Sequence, residues 1–134
     1  MSNDLSLRLW KAAGQGNLRL VSELFTDGAL LNFSNPNRDG QTAIHHACQF
    51  DQQAVTEWLI AHGVDIHSID YEGNTSLHLA SMYGHAGLLR YLIAANGDVK
   101  KKNNDQLTPM DLARVYKKER TLNLLETLQD VVVE

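Results

Sequence analysis

Six histidines and a lone cysteine are the residues of this chain best suited to metal binding or nucleophilic chemistry. His45, His46 and Cys48 crowd into four positions. On a helix, however, successive side chains point about 100° apart, so the three radiate instead of converging. They also lack the paired spacing of a zinc site. Free cysteine usually behaves as a small buried hydrophobe, and Cys48 is read that way. Asp65 and Asp98 could suggest an acid–base couple, but they stand 33 residues apart, a distance that recurs throughout the chain. No glycine-rich strand-to-helix motif is present to cradle a nucleotide. His62 and His67 fall beside the Gly63 loop and are expected to be exposed. No catalytic residue, metal ligand or cofactor is therefore expected.

The interval of 33 is the organising feature. Thr42, Thr75 and Thr108 follow it. Asp39-Gly40-Gln41-Thr42-Ala43-Ile44-His45-His46-Ala47 returns as Glu72-Gly73-Asn74-Thr75-Ser76-Leu77-His78-Leu79-Ala80. A worn third copy reads Asp105-Gln106-Leu107-Thr108-Pro109-Met110-Asp111-Leu112-Ala113. A period of 33 with a Thr-Pro-Leu-His-x-Ala core resembles the ankyrin repeat. The resemblance implies an all-α solenoid of helix-turn-helix units joined by β-turn or hairpin loops. It also implies that His45 and His78 brace their turns through backbone hydrogen bonds, with Thr42 and Thr75 sharing the work, and that His85 stands at an inter-helix turn.

The residues support that reading locally. Thr75 can cap a helix whose Leu77 and Ala80 face inward. Leu88, Leu89, Leu92 and Ile93 recur at helical spacing as a second apolar stripe. The second unit runs in step through Ile44, Ala47, Val55, Leu59 and Ile60. Gly63 takes the left-handed position that ends a helix, and Asn96, the tolerated substitute, holds it one period later. The N-terminal unit keeps Leu9, Trp10, Ala12, Ala13, Leu20, Val21, Leu24 and Phe25 but not the threonine motif. Aligning Ala12 with Ala47 gives an interval of 35, so the first loop, around Asn32–Asn37, is predicted to be longer. In the last unit Gln106 replaces the turn glycine, Asp111 the histidine and Lys117-Lys118 the Gly-His pair. Terminal repeats are expected to be atypical, because each has an uncovered face. Residues 1–134 thus read as one domain of four repeats, near 3–36, 37–69, 70–102 and 103–130. The tail from Gln129 has no place in the pattern.

The bulk properties agree. The chain has 134 residues and net charge −4, which gives no general attraction to nucleic acid. No run of residues is apolar and long enough for a membrane span. The single cysteine excludes an internal disulfide, which favours the cytoplasm or nucleus. A monomer is expected.

The resemblance places partner contacts on the turn tips and first helices. Mapped here, the expected binding residues are Gln49, Phe50, Tyr71, Glu72, Asn74, Met82, Tyr83, Val115 and Tyr116. Phe50, Tyr83 and Tyr116 lie 33 apart, as do Gln49, Met82 and Val115. Equivalent residues on packed helices sit about 8–10 Å apart, so the three rings would form a ladder, with Tyr71 as an extension. Aromatics and methionine are enriched at interface cores. A second feature is electrostatic: seven of the twelve basic residues fall within 100–120, while residues 1–80 carry four basic and nine acidic residues. The expected function is non-catalytic binding of a partner protein, as an adaptor or regulator. The alternatives are an inhibitory subunit of an enzyme, or a binder of an anionic ligand through the basic C-terminal repeat.

Overall fold

The computed structural model describes residues 2–133, and the side chains from Asp4 to Leu128. The expectation that the tail stands outside the repeat pattern therefore concerns side chains outside the described residues. Among the described residues there are eight helices: α1 (Ser2–Gln15), α2 (Leu18–Thr26), α3 (Ala43–Gln49), α4 (Gln53–Ala61), α5 (Ser76–Met82), α6 (Ala86–Ala94), α7 (Pro109–Val115) and α8 (Glu119–Val133). Among the described residues the only β-pairing is an isolated bridge between Asn35 and Gln41. The odd-numbered helices pack side by side as one row, α1 to α3 to α5 to α7, and each is backed by the helix that follows it.

One continuous core lies between the two rows. Leu9, Val21, Ile44, Val55, Leu59, Leu77, Leu88, Leu89 and Leu92 are fully buried. These are the stripes read from helical spacing. Each such side chain contributes about 1.5–3 kcal/mol by leaving water. Phe25, on α2, lies outside this core. It is 38% exposed and packs edge-on against Trp58 and His62 on the outer helices.

The loops explain the shift in period. Fourteen residues separate α4 from α5 and α6 from α7, but sixteen separate α2 from α3. Each loop folds into a tip closed by a backbone hydrogen bond. Asp70 N–H donates to Asn74 and Asn103 N–H to Leu107, four residues on. In the first tip Asn35 N–H reaches Gln41, six residues on. The two extra residues therefore lie within the tip itself, and the stack beneath is unchanged.

Helix ends follow local chemistry. Thr42, Thr75 and Thr108 are the N-caps of α3, α5 and α7. Gly63 and Asn96 both adopt the left-handed conformation expected of them, at φ 91° and 73°. Gln106 adopts it too, at φ 65°, where earlier repeats use Gly40 and Gly73, and Lys117 at φ 58°, where they use Gly16, Asp51 (φ 59°) and Gly84. A side chain there costs about 1 kcal/mol relative to glycine.

Candidate partner-binding face

The two motif histidines join one repeat to the next. His78 Nδ1 accepts the Thr75 backbone N–H at 3.0 Å, so that nitrogen carries no proton. The proton must sit on Nε2, which donates to the Leu107 carbonyl of the following tip at 3.0 Å. His45 repeats the arrangement, with Nδ1 accepting from Thr42 at 3.1 Å and Nε2 donating to Asn74 O at 2.8 Å. Burial, the largest influence, pushes both imidazoles below their ordinary pKa, against the pull of these carbonyls and of Asp70. Both are neutral braces. Asp111 replaces the histidine in the last unit and keeps half of its role: one carboxylate oxygen accepts Thr108 N–H at 2.9 Å, while Thr108 Oγ1 accepts Asp111 N–H at 3.2 Å. A carboxylate has no proton to donate onward.

His46 points away from His45, as helical geometry requires. Its ring stacks on Trp10 with centroids 3.6 Å apart, and Nδ1 donates to the Trp10 carbonyl at 2.8 Å. A Cβ on Gly14 would overlap that ring, so α1 needs a glycine there. Arg38 lies 5.6 Å above the Trp10 ring, and Phe50 meets His46 edge-on at 5.3 Å. This cluster was not anticipated from the sequence, although aligning Ala12 with Ala47 does place Trp10 opposite His45. Cys48 is fully buried, and burial pushes its thiol up to about 12. Such a thiol is a packing group and not a nucleophile.

The tips are stitched into a rail. Tyr71 N–H donates to Asp39 O at 2.7 Å and Asn104 N–H to Glu72 O at 2.9 Å. Asp70 is buried and its carboxylate accepts the N–H groups of Glu72 and Asn74. The exposed acids Asp39, Glu72 and Asp105 then follow one another at the repeat interval. Burial, and after it the neighbouring carboxylates Asp70, Asp39 and Asp105, raises the Glu72 pKa.

Most of the expected contact residues lie on the surface. Phe50, Tyr83 and Tyr116 are the C-cap residues of α3, α5 and α7 and are 49%, 42% and 50% exposed. Val115 is exposed as well, while Gln49 and Met82 are half-buried. Tyr71 and Glu72 are exposed at a tip. Tyr71 does not extend the ladder, because α5 lies between it and Tyr83; its ring covers Gly40 of the neighbouring tip. Asn74 needs correction. It is buried, its Oδ1 accepts from Asn103 Nδ2 at 2.9 Å, and its carbonyl serves His45. It holds two tips together and offers no side chain to a partner.

A further row lies at the base of the stack, where each outer helix begins. Gln52 covers Gly16 and its Nε2 donates to Gly14 O at 3.2 Å. His85 stands 3.9 Å from the Asp51 carboxylate and its Nε2 bonds Gln49 O at 2.9 Å. Lys118 covers Gly84 in the same position. Each residue leans on the preceding repeat.

A family model described as ankyrin repeats, in three copies, matches residues 9–104. A 60-residue segment is 38% identical to a probable E3 ubiquitin-protein ligase, XBOS32, of Oryza sativa subsp. japonica. That segment is 45% of this chain and 12% of the rice protein, so the likeness extends to a small part of that relative's length. The 33-residue period, the paired helices, the stitched tips and the match over residues 9–104 agree: the chain belongs to the ankyrin-repeat family.

Proposed function

We propose that residues 1–134 work as one four-repeat domain that binds a partner protein through its concave face, without catalysing a reaction. Ankyrin repeats are protein-interaction modules, and the finer claim rests on one observation. Phe50, Tyr83 and Tyr116 present rings at the same point of three successive repeats and are about half exposed. The core is complete without them. Rings held in register on packed helices offer apolar contact area at low conformational cost, which suits a hot spot. Gln49, Met82 and Val115 adjoin the ladder, and Tyr71 and Glu72 supply a second contact at the tips. Among the described residues no helix is long and apolar enough to cross a membrane. A reduced, buried Cys48 fits a monomer in the cytoplasm or nucleus.

The test is affinity capture from native lysate with wild-type protein and with Phe50→Ala, Tyr83→Ala, Tyr116→Ala combined, after circular dichroism shows both folded. A partner retained by the first and lost by the second is expected. The same partner on both would overturn the ladder as the contact. An activity assay on the captured partner then separates an adaptor from an inhibitory subunit.

A further inference from the structure

We infer that the base of the last two repeats carries a cation cleft that receives an acidic segment of the partner protein. The inference deepens the concave-face reading and rests on it. A shallow, open cleft of about 370 Å³ lies between the repeats, lined by Tyr83, Gly84, Lys117, Lys118, Glu119 and Arg120. Three cations and one carboxylate line it, so an anion is favoured there.

The internal repetition makes the cleft more than a run of surface lysines. At the two earlier interfaces the base residue turns its donor onto the preceding repeat: Gln52 to Gly14 O, His85 to Gln49 O. Lys118 occupies the third such position. Its stem lies against Gly84, with Cδ 3.2 Å from where a Cβ on that glycine would stand. Yet its ammonium makes no hydrogen bond or ion pair among the described residues. The link to the previous helix passes instead to Thr121, whose Oγ1 donates to Ser81 O at 2.9 Å. Lys117 and Arg120 likewise form no ion pair among the described residues. The structural duty of the position has moved elsewhere, and a cation is left facing the cleft.

Position identifies the occupant. Tyr83 lines the cleft and is also the central rung of the ladder. A polypeptide lying along the rings would run directly into the three cations. Its carboxylates would be drawn to this end and repelled by the tips, where Asp39, Glu72 and Asp105 stand. Complementary charge of this kind fixes the register of a bound chain and speeds its capture. A polypeptide with apolar residues followed by acidic ones matches both features.

The test follows the backbone amide signals of the full chain by NMR while hexaglutamate is added, with inorganic phosphate and phosphatidylserine vesicles as separate arms. Hexaglutamate should shift Tyr83, Lys117, Lys118 and Arg120, and its affinity should fall roughly tenfold when Lys118 is reversed in sign, Lys118→Glu. Lys118→Met keeps the stem over Gly84 and should lose a smaller share, which guards against a folding defect. Lys101→Glu, the same charge change outside the cleft, should have little effect. The inference is overturned if hexaglutamate leaves these amides unmoved, or moves Lys100–Lys102 equally. It is also overturned if only phosphate shifts the cleft amides, or only vesicles bind, because the occupant would then be a free anion or a lipid surface. Failure here with a successful ladder capture removes the cleft alone. Failure of the capture with a glutamate response removes the concave-face reading and leaves the cleft as an isolated anion site.

Discussion

The third and fourth repeats begin their inner helices with the same threonine and finish the motif differently. His78 caps α5 and also reaches into the next tip, whereas Asp111 caps α7 and stops. The difference follows from what lies beyond each. Past His78 there is a tip whose Leu107 carbonyl, already bonded to Asn103 N–H, takes a second donor; Asp111 faces no such tip among the described residues. The worn motif at the C-terminal end is therefore a motif with one duty fewer. The same end also keeps Gln106 in the left-handed conformation where the second and third repeats use Gly40 and Gly73; the left-handed Lys117 has both a glycine, Gly84, and a side chain, Asp51 at φ 59°, as its counterparts. Among the described residues the third repeat is joined to a neighbour on both sides and the fourth on one.

Breaking the two caps should expose this contrast most strongly. His78→Ala leaves the Thr75 amide unpartnered beside a cavity and the Leu107 carbonyl with its Asn103 hydrogen bond alone, and should cost about 3 kcal/mol. Asp111→Ala removes only a cap and should cost about 1 kcal/mol. Urea unfolding of the two variants measures both, and equal losses would mean that the onward hydrogen bond contributes nothing.

Acid should act next, and in separate windows. His45 and His78 have depressed pKa values in the folded chain, so the unfolded chain takes up protons first as pH falls. Their contribution is complete above about 6.5 and is lost as pH falls below it, by at most about 1.4 kcal/mol per pH unit for each histidine. Asp111 is depressed as well, chiefly by its hydrogen bond to the Thr108 backbone. Its contribution is present above the ordinary carboxylate range and is lost only as pH falls through and below that range. Stability between pH 7 and 5 should decline in wild type and decline less in His78→Ala; parallel curves would refute the assignment.

Relieving the strain should sharpen the comparison from the other direction. Gln106→Gly should add about 1 kcal/mol. Amides of α7 and α8 should exchange before those of α3 and α5, and the glycine should narrow that gap. Longer protection of the last repeat in wild type would contradict the picture. The smallest effect belongs to the ladder. Phe50→Ala, Tyr83→Ala and Tyr116→Ala should each change stability by about 0.5 kcal/mol or less, as surface substitutions do. A larger loss would mark a ring as part of the fold.

How far the sequence could be read depended on the range of the interaction. Caps, apolar stripes and the left-handed Gly63 and Asn96 are set within a few residues, and the period carried them into register. The burial of Asn74 was hidden because its partners, His45 and Asn103, each lie 29 residues away in neighbouring units. The stack of Trp10 on His46 was hidden because the first unit has lost the motif that would align it. The ladder positions came from the family resemblance and the period together, and their exposure from the absence, among the described residues, of any further layer over the ends of the odd-numbered helices.

The first tip has a practical consequence. Two added residues between Asn35 and Gln41 changed neither the helices below nor the hydrogen bond that carries the rail to Tyr71. Chain length there is decoupled from architecture, and lengthening a flexible loop twofold costs only about 0.6 kcal/mol. The segment Pro36–Asn37 is thus a natural graft point. A foreign epitope or reporter peptide spliced there would ride on the scaffold, clear of both the ladder and the cation cleft.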